Sequence, residues 1–92
     1  ALERARDAFE AAVRLSPGRR GLWQKLAEVS LALDEPEAAF AAASHAAGLA
    51  PPPKDLVELV SALEKRLVHE RQQAVARGDE DRVQRIDALL AD

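Results

Sequence analysis

Only a few polar residues in this 92-residue chain could do chemistry, and their spacing decides each case. His69-Glu70-Arg71-Gln72-Gln73 has the outline of a zinc-protease helix motif, in which two imidazoles one turn apart hold the metal and the glutamate acts as base. Gln73 stands where the second imidazole is needed, so the segment reads as a solvated helix face. His45 sits among alanines and reads as a packed or half-exposed structural histidine. Carboxylates gather at Asp34, Glu35 and Glu37, and again at Asp79, Glu80 and Asp81. Both clusters fall at predicted helix N-termini, where negative charge meets the helix dipole. Capping accounts for them better than acid–base catalysis or calcium, which needs a long ligand-rich loop. The serines lack a nucleophile-elbow context, and Gly18 and Gly21 form no phosphate loop. Arg14, Arg19 and Arg20 make a small basic patch, with Glu10 one turn before Arg14 to neutralise part of it. The chain holds no cysteine, which excludes disulfides, thiolate zinc sites and cysteine nucleophiles. It reads as a non-enzyme that calls for no metal and no cofactor.

Composition points the same way. Hydrophobic residues make up 48% and charged residues 32%, ordinary values for a folded domain rather than a disordered one. Ninety-two residues make one small domain with one modest core. Trp23, Phe9 and Phe40 are the whole aromatic set, and twenty alanines fill the space instead. That mix favours closely packed helices over sheets. A net charge of −3 argues against nucleic acid, and no apolar run approaches the ~20 residues of a membrane span. No signal-peptide pattern is present, and a chain starting at Ala1 reads as an excised or processed piece of a longer protein. The lack of cysteine fits a bacterial cytoplasm and fits a periplasmic home as well; the alanine- and arginine-rich composition points to a GC-rich genome.

The elements that must position these residues are helices. Punctuation at Ser16-Pro17-Gly18, Asp34-Glu35-Pro36, Pro51-Pro52-Pro53 and Gly78-Asp79 cuts the chain into five. The first runs over Leu2–Leu15, with Phe9, Ala12 and Leu15 on one stripe. The second runs over Arg20–Leu33, with Leu22, Trp23, Leu26, Val29 and Leu33 at helical spacing. Asp34 is expected to cap the third helix, Glu35–Leu49, with Glu37 completing a capping box and Gly48 near its end. The longest pattern, Lys54–Arg77, buries Leu56, Val60, Leu63 and Leu67. Gly78 should end it in a left-handed cap, and Asp79 should open a last helix through Ala91 that presents Val83, Ile86, Leu89 and Leu90. No run alternates with period two over strand length, so the fold class is all-α.

Sliding the chain by 34 residues pairs Ala5 with Ala39, Ala8 with Ala42, Ala12 with Ala46, Leu15 with Leu49 and Pro17 with Pro51. Small residues meet small ones, and each proline closes a helix. On these residues the sequence resembles the tetratricopeptide repeat (TPR) family. The unit Arg20–Pro53 supplies Trp23, Leu26, Ala27, Ala39, Ala46 and Pro51 of that pattern, with Ser30 in place of the tyrosine and Ala43 in place of the aromatic. The half unit before it supplies Ala5, Phe9, Ala12, Leu15 and Pro17. The remainder departs from the pattern: Val57, Val60 and Ser61 replace tryptophan, leucine and glycine, and the helix runs about ten residues too long.

The resemblance implies a TPR-like right-handed solenoid of antiparallel helix pairs, about five helices in a single domain over residues 1–92. Residues 1–19 would be the second helix of a truncated repeat, 20–53 a complete repeat, and 54–92 an elongated, divergent terminal repeat. It implies a protein–protein interaction module within a larger protein, whose concave groove takes a peptide or partner helix. That groove would carry Gln24, Glu28, Leu31, Glu58, Ala62 and Lys65. The family's carboxylate-clamp residue types are missing, with Gln24, Glu28, Asp55 and Leu59 in their places, so an acidic-to-neutral groove suits a basic or amphipathic segment. A second reading is a structural or oligomerisation segment. It rests on Leu2, Phe9 and Val13, which would need cover from another copy or a neighbouring domain. Neither reading involves nucleic acid or a membrane span.

Overall fold

The computed structural model describes residues 1–49 and 51–91. It is all-α: α1 Leu2–Leu15, α2 Arg20–Ala32, α3 Pro36–Leu49, α4 Lys54–Arg77 and α5 Glu80–Leu90, with no strand among the described residues. Each helix packs on the next in the chain, and α5 also reaches back to α3. The result is a flattened shape of 38 × 30 × 18 Å.

Alanine makes this layering possible. Ala27, Ala39, Ala43 and Ala46 are fully buried at the crossings of α2, α3 and α4, where the absence of bulk lets backbones approach. Leu26, Phe40, Leu56, Leu63, Leu67 and Ile86 fill the spaces between layers. Leu22 and Val60 are half-buried against this core. The equivalents of the α3 alanines in α1 fare differently. Ala5 and Ala12 are half-buried and Ala8 is exposed, whereas Ala39, Ala46 and Ala42 are buried. One side of α1 therefore lacks a neighbour. Leu15, expected on the packed stripe, is 85% exposed for the same reason.

Turn chemistry matches expectation at one junction and departs from it at another. Gly78 adopts φ 76°, the amide of Asp79 donates to Ala74 O and that of Gly78 to Val75 O, a left-handed closure of α4. Asp79 then accepts from the Arg82 amide at 3.2 Å and caps α5. Asp34 was expected to cap α3 in the same way. Instead it adopts φ 60°, with its amide donating to Leu31 O and that of Glu35 to Ser30 O. That is the same closure applied to α2, with aspartate in the position glycine usually holds. Glu37 makes ion pairs with α5 and forms no capping box. Pro36 occupies the first position of α3, where its missing amide costs nothing, and Gly48 lies inside α3.

α4 is the outlier in length, 24 residues against 13 in α2. At 1.5 Å per residue it spans about 36 Å, and its far half is what α5 packs on. Ile86 is fully buried in that pairing, and ion pairs surround it. Arg82 Nε lies 2.9 Å from Glu37 Oε1, and its second nitrogen 3.5 Å from Glu70 Oε2, so one arginine ties α5 to α3 and α4 at once. Arg85 adds a second contact to Glu37 at 3.4 Å, and Arg71 binds Asp87 across the α4–α5 seam.

Candidate functional site

Residues of α1, α2 and α3 line a cleft of about 650 Å³, with α2 packed against both of the other helices. Its floor is apolar, made by Val13 of α1, Leu26 of α2 and Ala42 of α3, with the buried Ser30 beside them. The α3 wall is smooth because Ala38 and Ala41 offer only methyl groups. At one end Trp23 donates its indole N–H to Pro17 O at 2.8 Å, which fixes the ring against the α1–α2 turn. His45 lies over it with ring centroids 4.1 Å apart and planes tilted by 42°. Trp23, at a packing position of the helical pattern, is thus a half-buried side chain lining a cleft.

The other end is held by charge. Arg6 donates to both carboxylate oxygens of Glu35, at 2.8 and 2.6 Å. Hydrogen bonding and charge from Glu35 hold its guanidinium above the usual arginine range. Glu10 lies 3.4 Å from Arg6 Nε and Asp7 3.5 Å from it, so three acids surround one base. The expected Glu10–Arg14 pairing does not form, because Glu10 turns to Arg6. Arg14 lines the Trp23 end, and no carboxylate among the described residues lies within salt-bridge distance of it.

The residues assigned to the groove lie elsewhere. Gln24 donates to Asp55 Oδ2 at 3.4 Å, joining α2 to α4, and Leu31 is half-buried against the core. Glu28, Glu58, Ala62 and Lys65 are exposed. Lys25 sits 3.5 Å from Glu28 and Lys54 3.9 Å from Glu58, so each of these acids has a base one turn away. The trio thought to need cover divides. Leu2 is 46% exposed, Phe9 is half-buried against the core, and Val13 is buried by its own chain at 4%.

His69 is exposed and accepts from the Gln73 amide at 3.2 Å. Among the described residues no three metal-ligating side chains converge, and no helix is long and apolar enough to cross a membrane. The cleft escaped the sequence reading because it depends on how far α1 stands from α3. Its one signal is that Ala38 and Ala41 fall off the buried stripe of α3. No protein-family model, no curated protein and no solved structure matches the chain.

Proposed function

We propose that the chain is a protein-interaction module of tetratricopeptide-like helix pairs within a larger protein, without catalytic activity of its own. It presents the face of Gln24, Glu28, Leu31, Glu58, Ala62 and Lys65 to a peptide or partner helix. The observation that supports this reading is the Gln24–Asp55 hydrogen bond, which links the start of α4 to α2 and brings the outward sides of the two helices near each other. Packed helices give a preformed surface that loses little ordering entropy on binding. The test is a fluorescein-labelled amphipathic helix of lysine and leucine, followed by anisotropy. Reversing Glu28 and Glu58 together to lysine should weaken it at least tenfold with the melting temperature unchanged. Equal affinity would remove the groove assignment.

One observation favours a second reading, in which the segment builds an assembly. Leu15 and Leu2 stand exposed on α1, and Val57, Val68 and Val75 line one side of α4. Both flanks leave apolar surface for another copy or a neighbouring domain.

A further inference from the structure

We propose that the cleft between α1 and α3 is a second binding surface, which receives a short partner segment with an apolar middle, an acidic side chain at one end and a basic one at the other. It goes beyond the groove reading. α2 gives Trp23, Leu26 and Ser30 to the cleft and Gln24, Glu28 and Leu31 to the groove.

Three observations specify the occupant. The floor of Val13, Leu26 and Ala42 offers nothing but apolar contact to the middle of a segment. The two ends differ in sign. Around Arg6, the carboxylates of Asp7, Glu10 and Glu35 leave an excess of negative charge, which suits a basic side chain. At the other end Arg14 has no acid beside it among the described residues and lies by the Trp23–His45 pair, which suits a carboxylate. The length is set by α1. Arg6 and Arg14 are eight residues apart, about 12 Å along the helix, which an extended chain covers in about four residues. The site is also pre-organised, since the Pro17 carbonyl holds the indole and Glu35 holds the guanidinium.

The experiment uses acetylated, amidated pentapeptides with three apolar residues between two charged ones, immobilised as an array. The apolar positions cover every combination of alanine, valine, leucine, isoleucine and phenylalanine. Peptides with ends of opposite charge should be retained roughly three- to tenfold better than those with like ends. In solution the best of them should shift the emission of Trp23, the only tryptophan in the chain. Arg14→Glu makes both ends acidic and should turn the preference to peptides with two basic ends. Ala41→Phe fills the cleft from an exposed wall position and should abolish retention. The double groove variant, Glu28→Lys with Glu58→Lys, should leave the ranking intact, which separates this surface from the groove. The proposal is overturned by no retention at millimolar peptide, by a silent Trp23, by a ranking that Arg14→Glu leaves alone, or by loss of the ranking in the groove variant.

Discussion

Trp23 shows how far a single residue type can mislead and inform at once. Its place in the helical pattern marks a packing position, and it does pack, but only over part of its ring. Burial at that position depends on whether α1 and α3 close above it, which no local pattern encodes. Trp23→Ala should therefore cost about 2–3 kcal/mol, below the ~3–5 of a sealed core tryptophan, as read by urea denaturation. A loss above about 4 would mean that the cleft is closed in solution. Asp34 failed differently. An aspartate before Glu-Pro looks the same in sequence whether it caps the helix ahead or closes the helix behind, and the structure uses it for the second. Asp87 carries a pH dependence that no pattern announced. The hydrogen bond from Arg71 holds its carboxyl below the usual aspartate range, with charge from the same residue assisting against partial desolvation. Its folded pKa lies below the unfolded one, so its contribution is present above about pH 4 and is lost as pH falls through the folded value. Carboxyl chemical shifts followed by NMR should show Asp87 titrating at higher pH in Arg71→Gln than in the parent chain.

At the scale of elements the sequence was far more legible. α1 and α4 begin and end where proline, glycine and apolar period put them, because those signals act through the backbone and need no tertiary context. The α4–α5 junction was legible for the same reason. Two glycines provide an internal comparison of that logic. Gly78 sits at φ 76°, so Gly78→Ala should destabilise by about 1 kcal/mol although a methyl group there would meet nothing. Gly48 lies in α3 with equally open space, so Gly48→Ala should stabilise by about 0.5–1 kcal/mol. Thermal melts of the two variants should move in opposite directions; a shift in the same direction would mean that the α4–α5 turn is not formed. What stayed illegible was pairing between elements. Glu37 of α3 meets Arg82 and Arg85 of α5 across 45 or more residues of chain, and nothing local distinguishes it from a capping glutamate.

For the molecule as a whole, the two functional readings separate by mass. As an interaction module the chain should run at its monomer mass of 10.0 kDa over a hundredfold concentration range by light scattering. A dimer that Leu15→Glu splits would give the assembly reading precedence. Leu15 is the informative position because it is 85% exposed, whereas a charge at the half-buried Phe9 would damage the core whatever the mass. The extra length of α4 over α2 carries a consequence of phase. The difference between 24 and 13 residues is eleven, and eleven residues turn a helix through about three full revolutions. A helix lengthened by that amount points its faces where they pointed before. The buried positions of α4 show it, since Leu56 and Leu67 stand eleven apart, as do Leu63 and Ala74. Length and direction are thus uncoupled in this element. α5 can be carried about 16 Å further along the molecule, or drawn back by excision of the same eleven residues, and still meet its neighbours with the same side.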